Sequence, residues 1–194
     1  EGALNEAHSI LQRMNELATQ SANDTNTTAD RTAVQSEVNA LTNELSRIAS
    51  TSQFNTQNLL DGTFTGKNLQ VGALENQKIT ISIGTMNAKA LGVDSLDVKS
   101  FTKAGSAMTL IQKAISKVSG QRSDLGALQN RLEHTVNNLD NISENTQTAE
   151  SRIRDTDMAS EMVQYSATSI IQQAGQSMLA QANSQTQGVL SLIQ

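Results

Sequence analysis

The sequence lacks residues on which most compact domains depend. It contains no Cys, Pro or Trp, and its only aromatic residues are three Phe and one Tyr. Without Cys, neither disulfides nor thiol chemistry is available. Four aromatic side chains cannot fill a wide globular core, whereas Ser, Thr, Asn and Gln make up about two fifths of the chain. This composition favours long, thin helices packed on one another over a compact enzyme.

Positive charge and long apolar runs are also scarce. The formal net charge is −5, which argues against a nucleic-acid partner. No apolar run approaches the roughly 18–20 residues that a membrane span needs, so we expect no membrane partner. The helical pattern is already under way at Ala3, and no signal peptide precedes it. We interpret the sequence as a fragment of a longer native chain.

Apolar side chains at alternating steps of three and four predict two amphipathic helices in residues 1–52, which we expect to form N-terminal rod helices. The first helix extends from about Gly2 to Ala22. Thr27 and Asp30 have the spacing of a capping box and begin the second helix.

Residues 53–101 have a different pattern, and we expect a β-hairpin and a short variable loop region there. Strict alternation from Lys78 to Ile83 predicts a half-buried strand, and residues 68–71 predict a weaker partner. Residues 84–101 are predicted to be loop with small turns. A helical stripe from Ile111 to Leu139 then predicts a C-terminal rod helix within residues 102–158. The predicted fold class is therefore mainly α, an elongated antiparallel helical bundle or coiled-coil rod with a small β-hairpin region and a C-terminal helical arm.

The C-terminal arm, residues 159–194, contains no Lys, Arg, Asp or Glu after Glu161. It nevertheless keeps a helical apolar stripe. The stripe comprises Val163, Ala167, Ile170, Ala174, Met178, Ala182, Val189 and Ile193. A helix surrounded by neighbours excludes charge, because an unpaired buried charge is costly, whereas amides and hydroxyls can be hydrogen-bonded. We therefore expect an arm that is buried among several protein neighbours and disordered until assembly; the alternative is a flexible polar tail.

Catalytic and cofactor motifs were not found. His8 and His134 have no second His three or four residues away, and no zinc-protease, phosphate-loop or dinucleotide motif occurs. The charged run from Arg152 to Glu161 is interpreted as a solvated, salt-bridged face. We expect no enzyme activity, no metal and no cofactor.

Several runs of residues resemble bacterial flagellin. Residues 11–18 (LQRMNELA), Phe54-Asn55 and residues 59–62 (LLDG) resemble its N-terminal half. Residues 127–132 (ALQNRL), 149–159 (AESRIRDTDMA) and the ending from Gln173 to Leu192 resemble its C-terminal half. The match covers nearly the whole chain in the right order. The sequence is similar in character to flagellins of Bacillus-like bacteria.

The resemblance implies a structural subunit that polymerises with itself into the flagellar filament for motility, outside the cell. It implies secretion through the flagellar type III system and assembly under the flagellar cap. The stripe of residues 159–194 would be the polymerisation face and would bind the flagellin export chaperone. The resemblance begins inside the first rod helix, so the family's N-terminal arm, which pairs with this C-terminal arm, is expected to be missing.

The resemblance also implies recognition by Toll-like receptor 5, and thus a role in innate immunity. The family's receptor-contact residues match Arg13 and Leu17 in the first helix and Glu37 in the second. Leu17 also lies on the stripe that is predicted to pack inward. Read without the resemblance, Arg13 is a solvated charge, Leu17 a core residue and Glu37 a helix-stabilising charge.

Two alternatives remain at this point. A hook-filament junction protein also has terminal helical arms, although the rod motifs match the filament subunit more closely. A secreted coiled-coil effector or signalling module is the other alternative. It would keep charged positions to its C-terminus, which this sequence does not.

Overall fold

The computed structural model describes residues 1–193, except for the side chains of residues 187 and 189–193. The chain divides into two compact units, Glu1–Leu139 and Asp140–Gln194. The helices are α1 (Gly2–Ser21), α2 (Thr28–Thr51), α3 (Ala88–Leu91), α4 (Phe101–Arg154) and α5 (Met158–Ile193), and the strands are β1 (Gln53–Phe54), β2 (Gln57–Asn58), β3 (Lys67–Gln70) and β4 (Lys78–Ile81). The predicted fold class, mainly helical with a small hairpin region, is confirmed.

The first unit has a core built from one stripe on each long helix. The buried positions of α1 are Leu4, Ala7, Leu11, Met14, Leu17, Ala18 and Ser21. Those of α2 are Val34, Gln35, Val38, Leu45 and Ala49. Those of α4 are Ala104, Ala107, Ile111, Ala114 and Val118. Spacings of three and four place such side chains on one helical face, which is why these helices pack.

Local hydrogen bonds fix where α2 begins. The Thr27 hydroxyl accepts a hydrogen bond from the Asp30 amide at 3.2 Å, and the Thr27 amide donates to the Asp30 carboxylate at 3.0 Å. The predicted capping box is therefore present. Because only a short loop joins α1 and α2, the two helices form an αα-hairpin.

Two hairpins follow α2. The predicted hairpin is β3 paired antiparallel with β4, with Leu69 opposite Ile79. Ile79 and Ile83 are buried while Lys78 and Thr80 are exposed, as the alternation predicted. A second hairpin, β1 with β2, was not predicted, because its two turn residues, Asn55 (φ 47°) and Thr56 (φ 63°), are not the Asn-Gly or Asp-Gly pair that signals such turns.

Residues 84–101 are more ordered than a simple loop. Most of this segment is irregular, as predicted, but it also contains α3, and its apolar side chains join the core: Met86, Ala88, Leu91, Val93, Leu96 and Val98. Gln35 holds the segment against α2, because its side chain accepts from the Val98 amide at 2.7 Å and donates to the Leu96 carbonyl at 2.8 Å. The irregular apolar spacing matches neither a helix nor a strand, so the sequence pattern did not predict this burial.

The predicted stripe of α4 is buried only in part. Ile111 and Val118 are fully buried, Leu125, Leu132 and Leu139 are half-buried, and Val136 is 55% exposed. Arg122, which interrupts the stripe, donates to the Glu1 carboxylate at 2.7 Å. In the part of the chain that the structure describes, no helix is both long and apolar enough to span a membrane.

Candidate functional site

The first candidate surface is the Arg13 cluster, which comprises Arg13, Glu16 and Glu37. Arg13 lies on the solvent side of α1, and its Nε and Nη2 atoms donate to Glu37 Oε1 on α2 at 3.0 and 2.9 Å. Its Nη1 atom donates to Glu16 Oε2 at 3.2 Å. About half of the Arg13 and Glu37 side chains stays exposed, at 50% and 46%. The cluster therefore presents a guanidinium group in a fixed orientation on the α1–α2 surface.

The two neighbouring carboxylates favour the charged form of Arg13. The hydrogen bonds that Arg13 donates to Glu37 and then to Glu16 raise the pKa of Arg13 above its ordinary value, and the charge of Glu37 adds to the effect. Arg13 is therefore protonated at every physiological pH. A partner would meet an oriented cation that is flanked by two carboxylates, and recognition of such a group requires forked acceptors of matching geometry.

Leu17 does not belong to this surface. Its side chain is only 1% exposed and packs in the core of the first unit. Leu17 lies on the inward stripe with Leu4, Leu11 and Met14, whereas Arg13 lies outside that stripe. Of the three predicted receptor-contact residues, the structure thus places Arg13 and Glu37 together on the surface and removes the Leu17 side chain from it. Glu16 was not nominated from the sequence, although it stands three residues after Arg13, a spacing at which helical side chains meet.

The second candidate surface is the α5 stripe, which comprises the described members of the predicted face. They are Val163, Ala167, Ile170, Ala174, Met178 and Ala182. All six are exposed, with 70% exposure for Val163, 66% for Ile170 and 71% for Met178. Val189 and Ile193, which were predicted to extend the stripe, lie outside the described side chains.

Local sequence explains where α5 begins. The Asp157 carboxylate accepts from the amides of Ala159 and Ser160, at 3.0 and 3.3 Å, and so caps the first turn. Glu161, the last ionised side chain, also lies near this end, where negative charge is favourable to the helix dipole. Beyond it, α5 presents only amides, hydroxyls and apolar groups to its surroundings.

Sequence reasoning missed a second apolar face on α5. Met158, Met162 and Tyr165 follow one another at steps of four and three, and their side chains are 66%, 58% and 70% exposed. Their spacing signals this face, which lies away from the α5 stripe on the helical circumference. Ile171 and Leu179 are exposed as well, at 71% and 66%. The described part of α5 is thus apolar on more than one side.

The described residues do not form a metal-binding cluster. Within residues 1–193, the structure brings no three His, Cys, Asp or Glu side chains into a metal-binding group. The Nε2 atom of His8 lies 3.1 Å from the Nε2 atom of Gln12 on the same helix. In the charged run from Arg152 to Glu161, Arg154 forms an ion pair with Glu150, just before the run, at 3.0 Å.

Comparison with known families gives matches over both ends of the chain. The family model described as the bacterial flagellin N-terminal helical region matches residues 1–65, and the one described as the bacterial flagellin C-terminal helical region matches residues 108–193. These two regions contain the Arg13 cluster and α5, respectively.

Individual relatives agree with these matches. A flagellin of Halalkalibacterium halodurans is 51% identical over all of this chain and 72% of its own length. A flagellar filament core protein of Brachyspira hyodysenteriae is 46% identical over all of this chain and 73% of its own length. Among solved structures, the crystal structure of Bacillus cereus flagellin matches with a TM-score of 0.60 and 32% identity, over 71% of this chain and 80% of the other.

Proposed function

The chain belongs to the bacterial flagellin family, whose members are structural proteins rather than enzymes, and we propose that it is a subunit of the extracellular flagellar filament in which α5 is buried between neighbouring subunits. The observation that supports this role of α5 is its exposed apolar stripe, on a helix that has no charged residue after Glu161. The family match favours the filament subunit over the hook-filament junction protein and the coiled-coil effector, the two alternatives left by the sequence.

The energetics of α5 require a covering partner. Burying a large apolar side chain gains about 1.5–3 kcal/mol. Fixing the backbone costs about 1–2 kcal/mol per residue, and most residues of α5 are not large and apolar. With Ile170 and Met178 left about two thirds exposed, that gain is not realised in the single chain. Neighbouring subunits would supply it.

The absence of charged residues from α5 after Glu161 also fits a homopolymer. A charge on α5 would recur on every subunit and would have to be desolvated each time. The polar positions of α5 are instead Gln, Ser, Thr and Asn, which can exchange hydrogen bonds with adjacent chains or with trapped water. This difference explains why α5 has no Lys, Arg, Asp or Glu after Glu161, unlike an ordinary surface helix.

A charge introduced into the α5 stripe tests this role. We expect Ala174→Asp to abolish self-association while the melting temperature of the first unit stays unchanged, because Ala174 is exposed in the single chain. Self-association is measured by sedimentation and negative-stain microscopy in sulfate, which strengthens apolar burial. Ser123→Asp, which adds the same charge at an exposed position of α4, is the matched control. If both variants associate like the unaltered chain, α5 is not the assembly element.

Export is the second part of the proposal. We propose that the chain is secreted unfolded through the flagellar type III system and polymerises under the flagellar cap. The absence of Cys and Pro supports this, since neither disulfide formation nor prolyl isomerisation would slow refolding after export. A flagellin export chaperone would cover residues 159–194 before export. Calorimetric titration with that purified chaperone should show weaker binding for Ala174→Asp and unchanged binding for Ser123→Asp; equal binding of both variants would contradict this site.

Recognition by Toll-like receptor 5 is the third part. The support is the Arg13 cluster, which holds an exposed guanidinium group on the surface formed by α1 and α2. In a receptor reporter assay, we expect Arg13→Ala and Glu37→Ala to lower the potency of the chain. Arg47→Ala is the matched control, because Arg47 is also exposed on α2 and pairs with Glu44 at 2.6 Å. Equal potency of the Arg13 and Arg47 variants would place the receptor contact elsewhere.

A further inference from the structure

The methionines divide between the two units by exposure. The sequence contains six Met. In the first unit, Met14 and Met86 are buried, at 0% and 7% exposure, and Met108 is half-buried with its sulfur accepting a hydrogen bond from the Thr19 hydroxyl at 3.3 Å. In α5, Met158, Met162 and Met178 are 66%, 58% and 71% exposed. Every exposed thioether thus lies on the helix that we propose is buried in the assembly.

From this distribution we propose that Met158, Met162 and Met178 form an oxidation site for peroxides, and that sulfoxide formation there prevents the unassembled chain from self-associating. A thioether sulfur attacks one peroxide oxygen, the O–O bond breaks, and a sulfur–oxygen bond forms. With hydrogen peroxide, proton transfer to the leaving oxygen releases one water. The sulfur is oxidised by two electrons and the peroxide is reduced by two, so no further reactant is needed.

The positions of these residues determine the consequence. Met178 lies in the α5 stripe between Ala174 and Ala182, and Met158 and Met162 form the second apolar face with Tyr165. Oxidation replaces a flexible apolar side chain with a polar one. α5 has no ionised group after Glu161 and its stripe is apolar, so a sulfoxide oxygen on Met178 would place a polar group in an apolar contact, which is costly unless the oxygen finds a hydrogen-bond donor. Assembly, in turn, would cover the same thioethers and protect them from peroxide.

The first experiment needs no assembly. The dilute chain is treated with limiting hydrogen peroxide, and peptide mass spectrometry follows each of the six methionines over time. We expect the three α5 methionines to oxidise at least about tenfold faster than Met14 and Met86, because buried sulfurs react only after local opening. Equal rates for all six would overturn the oxidation site.

The second experiment measures the consequence. Sedimentation in sulfate compares treated with untreated chain, and retention on a butyl matrix measures apolar surface independently of assembly. We expect treatment to lower self-association about tenfold or more. Retention on the butyl matrix should also fall clearly. In the variant with Met158→Leu, Met162→Leu and Met178→Leu, treatment should change neither self-association nor retention, since leucine has no sulfur. The ratio of the treated to the untreated signal should therefore stay near unity in both assays. Met86→Leu should not protect.

This inference rests on the proposed assembly role of α5, and the assays separate the two. If the untreated chain does not self-associate, the proposed assembly role fails, while oxidation rates and butyl retention still decide the oxidation site. If the untreated chain associates and treatment changes neither readout, the assembly role stands and the oxidation inference is wrong. If the leucine variant loses association on treatment as the unaltered chain does, the methionines of α5 are not the responsible site.

Discussion

The two units of this protein have the same helical spacing of apolar side chains, but the stripe is buried in the first unit and exposed in the second. The stripes of α1 and α5 both follow alternating steps of three and four. In the first unit, Leu11 and Met14 are fully buried, whereas Ile170 and Met178 in the second are about two thirds exposed. None of the described side chains of α5 is buried. Helical spacing therefore predicts which face is apolar, but whether that face is covered within the chain depends on tertiary structure.

Amide hydrogen exchange should show the largest difference between the units. We expect amides of α5 after Met158 to exchange rapidly in the free chain, while amides near Leu11, Val38 and Ile111 are slower by a factor on the order of a thousand or more. Mass spectrometry of exchanged peptides measures this directly. Strong protection across α5 in the free chain would contradict ordering on assembly and would erase the distinction between the units.

Truncating matched apolar side chains should give the next largest effect. Leu11→Ala creates a cavity in the core of the first unit and should lower its free energy of unfolding by about 2–5 kcal/mol. Ile170→Ala removes an exposed side chain and should change that free energy by less than about 0.5 kcal/mol. Urea denaturation followed by circular dichroism compares the two. Similar losses for both would mean that α5 contributes to the stability of the first unit.

A pair of glutamine substitutions, one in each unit, should differ in the free energy of unfolding by an intermediate amount. Gln35→Ala leaves the Val98 amide and the Leu96 carbonyl without their described side-chain partner, which should cost about 1–3 kcal/mol. Gln172→Ala on exposed α5 should be nearly neutral in the same urea measurement. Faster exchange of the Val98 amide in the Gln35 variant would locate the effect. A neutral Gln35→Ala would show that this segment does not depend on the glutamine.

The helix caps should give the smallest effect, and it depends on pH. Hydrogen bonds from the side chain and then the backbone of Thr27 lower the pKa of Asp30 below its ordinary value of 3.8. The stabilisation is therefore present above the unfolded-state pKa and is lost as pH falls through the lower folded-state pKa.

Thermal melts between about pH 6 and about pH 2 test this dependence. Asp30→Asn should lower the melting temperature of the first unit near neutral pH, and the difference should shrink below pH 3.8. Asp157→Asn, which alters the cap of α5, should leave that melting temperature unchanged. A difference that persists undiminished at the lowest pH would show that the Asp30 carboxylate charge is not its source.

The sequence predicted the local features well where one physical signal dominated. The capping box of Thr27 and Asp30, the β3–β4 pairing and the stripes of α1 and α2 all depend on residues close in sequence. The β1–β2 hairpin was missed because Asn55 and Thr56 adopt positive φ without the usual glycine. For the candidate surfaces, spacing predicted the α5 stripe, whereas the exposure of Met158, Met162 and Tyr165 identified the second apolar face.

By itself, then, the sequence determined the positions of the long helices, a C-terminal arm without charge after Glu161 and membership in a family of filament proteins. Only the tertiary structure decided that Arg13 pairs with Glu37 across two helices and that residues 84–101 join the core through Gln35. The physical reason is the distance along the chain over which each interaction acts. Periodicity and capping act within a few residues along the chain, whereas burial depends on which distant side chains meet.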